Sequence, residues 1–339
     1  MPLIERIWAG NSAADKAIRT ALAPLELLYR TGVVIRGGLY RTGLARIHAS
    51  PIPTVSVGNL TVGGTGKTPV SAWIASRLRA MGHSPAIILR GYGGDEPLVH
   101  ARINPDIPVI VAPDRVAGIE EARKNGASVA VLDDAFQHRR ASRDVDLVLI
   151  GADDWTDEQR VLPAGPYREP LSALSRASAV IITRKTADDS QVRRIIGTLA
   201  KEFPALPVAV AKLSAAEVVL AKSESQRLSV EVLAGKKVLA IAAIGNPVSF
   251  FEQIEARGAR VERRAYPDHH AFSTADVTSL AAASKAADYV VCTLKDAVKL
   301  EPLWPADGSP LWYVSLAVTI ESGKPAIEVL LALLSSPNS

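Results

Sequence analysis

Residues 61–68 read Thr61-Val62-Gly63-Gly64-Thr65-Gly66-Lys67-Thr68, an order of residue types suited to holding a triphosphate. Glycines let backbone N–H groups approach phosphate oxygens with no Cβ in the way. A lysine at the end of such a loop reaches the β and γ phosphates, and the hydroxyl after it is placed for Mg²⁺. The usual pattern opens with glycine five residues before Gly66, where this chain has Thr61. A subclass that includes many ATP-driven switches has lysine directly before the paired glycines, and Val62 in that place argues against it. Glycine-rich strand-to-helix turns also serve packing alone, but the Gly66-Lys67-Thr68 ending favours the phosphate reading.

Further groups could complete such a site. Residues 127–134, ASVAVLDD, read as a buried strand that delivers Asp133 and Asp134 at its C-terminal edge, where ligands bind in parallel α/β sheets. A carboxylate there holds Mg²⁺ directly or through water, opposite Thr68; the plainer role is a helix cap or a solvated turn. Phe136, Gln137 and His138 follow, and spacing alone assigns them nothing. The loop LRGYGGDEP carries Asp95 and Glu96, and the loop LPAGPYREP carries Arg168 and Glu169. Arg168 is suited to the charge of a transferred phosphoryl group, and Glu169 joins Thr68, Asp133 and Asp134 as a candidate metal ligand. In YPDHHAFS, adjacent His269 and His270 point different ways on any regular backbone, so a shared metal is disfavoured. One of them near a phosphate serves as a proton acceptor or its partner, or else as a neutral, hydrogen-bonded histidine. Thr293-Leu294-Lys295-Asp296 has its lysine displaced by one from the guanine-reading pattern, so GTP is not indicated.

These groups need elements to position them. TVSVGN before the glycine loop is strand-like, and Val70, Trp73, Ile74, Leu78 and Met81 after it have helical spacing, so the loop opens a helix whose N-terminal dipole faces the phosphates. Apolar runs then alternate with helical patterns: PAIILRG, PVIVA, a helix over 114–125, SVAVLDD, VDLVLIG, AVIITRK and LPVAVAK. That alternation predicts a parallel sheet covered on both faces, a nucleotide-binding α/β domain of the phosphate-loop type over 47–212. Regularity weakens over 213–235, read as a linker. KVLAIAAIG, YVVCTLK, LWYVSLAV and AIEVLLALL then predict a smaller α/β domain over 236–339, ending in a polar tail, SSPNS. With 339 residues the chain is long enough for two cores. A net charge of +4 with dispersed basic residues speaks against nucleic acid as a partner, and the lone Cys292 excludes an intramolecular disulfide and a cysteine metal cage.

Residues 1–46 interleave Leu25, Leu27, Leu28, Val33, Val34, Ile35 and Leu39 with Arg19, Arg30, Arg36, Arg41 and Arg46. No uncharged apolar stretch of about 18 residues is present, which disfavours a spanning helix, and there is no signal-peptide pattern. The mixture suits an amphipathic segment lying in a bilayer interface, with arginines on anionic lipid and aliphatic side chains below the headgroups. The alternative is a helix packed on its own domain.

The strings GNLTVGGTGKTP, RGYGGDEP, LDDAFQH, LPAGPYREP, IGNP, YPDHHAF and TLKD occur in the order seen in the tetraacyldisaccharide 4′-kinase family of lipid A biosynthesis, which the chain resembles over most of its length. Thr61 is a mark of that family. Ala135 stands where the family commonly has glycine, and Leu294 where it commonly has glutamate. The resemblance implies transfer of the ATP γ-phosphoryl group to the 4′-hydroxyl of a tetraacylated glucosamine disaccharide 1-phosphate, giving lipid IVA. Its cofactors would be ATP and Mg²⁺, and its place the cytoplasmic face of a Gram-negative inner membrane. It further implies that Asp95 pairs with His269 to activate the acceptor hydroxyl, with Asp95 as the base and His269 orienting or relaying, while Lys67 and Arg168 meet phosphoryl charge. The competing class is a membrane-associated ATP switch with no chemical acceptor.

Overall fold

The computed structural model describes residues 7–8, 10, 12–91 and 94–335. Parts of the N-terminal segment, Tyr92 and Gly93 of the Asp95 loop, and the tail after Ser335 lie outside the described residues. Two helices, α1 (Ala13–Ala21) and α2 (Ala23–Arg41), precede strand β1 (Thr54–Asn59). The glycine loop then opens α3 (Lys67–Ala80) as expected, and β2 (Pro85–Leu89), α4 (Glu96–Ile103), β3 (Val109–Val111), α5 (Arg115–Lys124) and β4 (Val129–Asp133) follow. Next come β5 (Val145–Gly151), β6 (Ala179–Arg184), α6 (Asp189–Glu202), β7 (Val208–Leu220) and β8 (Ser223–Ser229). The last third holds β9 (Lys237–Ala242), α7 (Pro247–Glu255), β10 (Arg260–Ala265), α8 (Thr274–Ser284), β11 (Tyr289–Thr293), α9 (Leu294–Leu300), β12 (Leu311–Ser322) and α10 (Lys324–Ala332).

All strands share one 12-stranded sheet, in the order β10-β9-β11-β12-β7-β6-β5-β1-β4-β2-β3 with β8 beside β7. β1, β2 and β4 are buried along their whole length, and β2 and β4 accordingly read as near-continuous apolar runs rather than alternating ones. β1 lies between β4 and β5, parallel to both. The chain leaves β1 for β2 and β3, then returns to β4 beside β1. The strand order therefore reverses at β1, and the glycine loop and the two aspartates emerge side by side at the crevice this creates. Gly58 is required by close packing at that edge, since a Cβ on it would sit 2.6 Å from the Cβ of fully buried Phe136.

The segment 213–235, expected as a linker, is mostly strand. β7 runs on past β6 into an antiparallel pair with β12, and β8 folds back on β7. Its weak apolar signal has a simple cause, because β8 is exposed over its last five residues. β12 also pairs with β11, so this antiparallel ribbon joins two parallel sheets. The C-terminal helix differs from expectation too. α10 belongs by sequence to the second unit, yet Ile327 and Leu331 pack with Val55, Ile74 and Leu213 in the core of the first, and Arg77 of α3 pairs with Glu328 at 2.8 Å.

Among the described residues no helix is long and apolar enough to cross a membrane. α2 is an unusual surface helix, because it turns polar groups inward. Glu26 accepts the Val161 N–H at 3.0 Å, the Tyr29 hydroxyl donates to the Arg168 carbonyl at 3.0 Å, and Arg36 donates to the Gln137 carbonyl. Its leucines face out, with Leu27 66 % and Leu28 70 % exposed. An ordinary amphipathic helix does the reverse.

Candidate functional site

A cleft of about 1270 Å³ separates the glycine loop from the second unit and is lined by residues of both. On one side Gly66 caps α3 with φ 81°. A Cβ there would meet Leu213 at 2.3 Å on top of the strain of a left-handed backbone. The loop is braced from below: Asn59 Nδ2 donates to Thr65 Oγ1 at 2.9 Å, and the Thr183 hydroxyl donates to the Thr65 carbonyl at 2.8 Å. Its entry is clamped by the LPAGPYREP loop, through Val62 N–H to the Pro166 carbonyl at 2.8 Å and Arg168 N–H to the Leu60 carbonyl at 2.7 Å. Thr61 pairs with Tyr167 as an isolated bridge, so the position usually given to glycine here takes part in a short antiparallel contact that a threonine suits.

Lys67 lies in the cleft 3.7 Å from Asp134. Burial pulls its ammonium below the usual lysine range, against the opposing pull of Asp134. The two aspartates, adjacent in sequence, are in different surroundings. Asp133 is buried; it accepts the Ser71 hydroxyl at 2.9 Å and the His100 Nε2 at 2.8 Å. Burial acts to raise its carboxyl, but the His100 bond, with the nearby Lys67 charge and Ser71, outweighs this and holds it below the usual range. Asp134 turns into the cleft with φ 50° and takes Arg168 Nη1 at 3.2 and 3.3 Å. Lys67, Asp134 and Arg168 are thus brought together as expected.

Glu169 is not brought to this group. Its oxygens take both terminal nitrogens of Arg176, at 3.0 and 3.2 Å, it is nearly buried, and it does not line the cleft. Its carboxylate is thus turned to Arg176 rather than to the cleft, apart from Thr68, Asp133 and Asp134. The remaining donors are hard oxygens of the kind Mg²⁺ takes: the Thr68 hydroxyl and the Asp133 and Asp134 carboxylates. Each Asp133 oxygen accepts one named bond and has a second lone pair to offer.

Across the cleft His269 stands on the loop after β10, with φ 56°. Its Nδ1 is 3.4 Å from Asp95 Oδ2. His269 lines the cleft and Asp95, 3 % exposed, lies behind it. The two predicted residues meet, with the imidazole toward the cleft. His270 is turned into the wall, stacked on Tyr266 at 4.8 Å and 3.2 Å from Asp276.

Sequence reasoning passed over four residues that the cleft uses. Ser71 and His100 are buried polar residues on helices, and their signal was that they interrupt apolar faces. Arg115, also buried, donates to the Asp133 carbonyl at 3.2 Å. Lys185 donates to the Gly64 carbonyl at 3.1 Å; it follows β6 at the same sheet edge where Asp133 ends β4, so the strand-end argument applies to it equally.

The LpxK family model, tetraacyldisaccharide-1-P 4′-kinase, matches residues 18–335. The chain belongs to the tetraacyldisaccharide 4′-kinase family. A tetraacyldisaccharide 4′-kinase of Halorhodospira halophila is 38 % identical over 325 residues, covering 89 % of each chain. One from Anaeromyxobacter is 37 % identical over 338 residues, 91 % of this chain and 90 % of that one. A crystal structure of LpxK from Aquifex aeolicus in complex with ATP superposes with a TM-score of 0.73 at 25 % identity, covering 94 % of this chain and 99 % of that chain. Of the two departures from the tetraacyldisaccharide 4′-kinase pattern, Ala135 is fully buried in the core beside β4, and Leu294 lines the cleft next to Lys295. An aliphatic side chain therefore forms the wall where the family commonly carries an acid.

Proposed function

We propose that this chain transfers the γ-phosphoryl group of ATP to the 4′-hydroxyl of a tetraacylated disaccharide 1-phosphate. The observation that carries this reading is the His269–Asp95 pair, 3.4 Å apart, in a cleft whose opposite wall is the glycine loop. A sugar hydroxyl is a weak nucleophile and gives up its proton as the bond to phosphorus forms. His269 is the group in position to take it, with Asp95 behind fixing the ring and stabilising the imidazolium that results. This exchanges the two roles implied by the resemblance, and the burial of Asp95 behind the imidazole supports it. Lys67 and Arg168 meet the charge on the phosphoryl oxygens, and their common partner Asp134 holds both cations at the same point. Thr68, Asp133 and Asp134 would hold Mg²⁺, which would supply neutralisation of phosphate charge. Asp95 and His269 come from different parts of the chain, so the pair forms only when the two sides of the cleft are together, which also excludes water from the phosphoryl group.

The outward leucines of α2 support seating of this helix in the interface of a membrane that carries the lipid acceptor, on the cytoplasmic side where ATP is available. Arg36 of the same helix lines the cleft, so interface and site adjoin. The deciding experiment measures ATP consumption with and without the lipid disaccharide in detergent micelles. A kinase of this design is nearly idle without acceptor; equal rates in both would instead support a nucleotide switch and overturn the proposal.

A further inference from the structure

His269 occupies a backbone region that a histidine enters uncommonly, and one partly buried charge pair, Asp296 with Lys299, contacts both its backbone partner Ala243 and its neighbour His270. Its N–H is 3.3 Å from the carbonyl of Ala243. The N–H of Ala243 donates to Asp296 Oδ2 at 2.9 Å. On the other side, the carbonyl of His270 accepts Lys299 Nζ at 3.2 Å, and the same ammonium lies 3.2 Å from Asp296 Oδ1. Asp296 and Lys299 both belong to α9, and Asp296 is fully buried.

We infer that Asp296 and Lys299 are positioning residues for His269, holding the loop on which the imidazole is presented to the cleft. The inference rests on the proposed role of His269 as base. A simpler role for Asp296 is to support the cap of α9, and it does so: the N-cap Thr293 Oγ1 accepts the Asp296 N–H at 3.2 Å and donates to Asp296 Oδ2 at 2.7 Å. Capping needs neither full burial nor a bond to a residue 53 positions upstream. Nor does it need the helix to supply a lysine to the His270 carbonyl. A buried ion pair is weak as a stabiliser, because desolvation offsets most of its attraction; what it supplies here is a fixed point shared by Ala243 and His270. His270 is itself anchored by Tyr266 and Asp276, so the residue next to the reactive one is held by side chains and through Lys299.

The test is a set of variants made both in the natural chain and in His269→Ala. Lys299→Met keeps an unbranched aliphatic chain and removes the ammonium, which lies 5.4 Å from the centre of the Phe272 ring. Asp296→Asn keeps an oxygen for the Ala243 N–H and weakens the pair with Lys299. Turnover to the lipid acceptor in micelles at saturating ATP, KM for ATP, and thermal midpoint are measured for each. A displaced reacting group costs up to about 10²-fold, so Lys299→Met is expected to lose about 10- to 100-fold in kcat with KM for ATP within about twofold. In the His269→Ala background the same substitution is expected to cost almost nothing further. Lys299→Arg, which retains a cationic donor, is expected to recover most of the loss. An unchanged kcat in Lys299→Met, or an equal loss in both backgrounds, overturns the positioning role. If Lys299→Met does not fold, Asp296→Asn in the two backgrounds decides in the same way. Full activity of His269→Ala overturns the base and this inference with it, whereas an inactive His269→Ala beside a fully active Lys299→Met overturns the positioning alone.

Discussion

Gly66 and His269 face the same cleft with positive φ, 81° and 56°, but the chain reaches that conformation differently on the two sides. At Gly66 the residue type alone permits it, and the groups suited to phosphate lie within a few positions, although Thr183, Lys185 and the LPAGPYREP loop brace them from outside. At His269 a side chain that disfavours the conformation is kept there by contacts from Ala243, Asp95 and, through His270, Lys299. The phosphate side is a local device and the acceptor side a long-range one. The acceptor side should therefore fail also through residues that touch no substrate, whereas the left-handed turn at Gly66 depends on its own residue type.

The largest effect is expected where the long-range device ends. His269→Ala and Asp95→Ala should each lower phosphoryl-transfer turnover about 10²- to 10⁴-fold, the range for a lost general base. The double variant should be little worse than either single one, because the two act as a unit. Single-turnover measurements at saturating ATP check this; losses that multiply would separate the pair. Affinity for ATP should hold in all three, since none of the changed groups belongs to the phosphate loop.

Lys67→Ala breaks the other side. Loss of one preorganised charge at the phosphates is expected to cost about 10²- to 10³-fold in kcat/KM for ATP. The loss should be the same whether the acceptor-side pair is intact or not. A dependence on His269 would mean that the two sides are not independent before the chemical step.

That contrast also explains what was legible in the sequence. The phosphate loop, the strand that ends at Asp133, and the alternation of strands and helices are each written within about 15 residues, so spacing alone recovered them. The 213–235 segment was misread because its second strand, β8, is mostly exposed and lacks the apolar run of a buried strand. The return of α10 to the first core was invisible for a different reason, since an apolar helical stripe says that a face is buried but not against what. Which of Asp95 and His269 reaches the cleft is a property of packing between distant segments that no local pattern carries. The same limit applies to Glu169: its partner, Arg176, lies only seven residues on, but the direction of its side chain was not readable.

A smaller effect, on stability, is expected from His100. Asp133 is held below the usual carboxyl range chiefly because His100, Lys67 and Ser71 outweigh the effect of burial. A carboxyl that is lower in the folded state than its unfolded value of about 3.9 contributes stability that is present above that pH. The contribution is lost as pH falls through the folded value. His100→Phe removes a hydrogen bond to a charged group, worth about 1.5–3 kcal/mol, and should lower stability by that amount at pH 7 while flattening the loss seen toward pH 3. Urea unfolding at the two pH values checks both parts; an unchanged acid limb would place the depression of Asp133 with Lys67 instead.

The smallest effect on the chemistry is expected from the surface where α2 departs from ordinary packing. Leu27 and Leu28 are 66 % and 70 % exposed, so replacing both with serine removes little that holds the fold together, and stability should move by no more than about 0.5 kcal/mol. If these side chains enter lipid, each contributes on the order of 1.5 kcal/mol of transfer, and the pair about 10²-fold in partition onto vesicles. Turnover on acceptor dispersed in detergent should stay near that of the natural chain, because the inward contacts of Glu26, Tyr29 and Arg36 remain. Turnover on acceptor embedded in vesicles should fall with the partition. The comparison between the two presentations of one substrate is the sensitive readout. Equal loss in both would mean that α2 acts on the site through its inward face, and unchanged vesicle binding would mean that its leucines face something other than lipid.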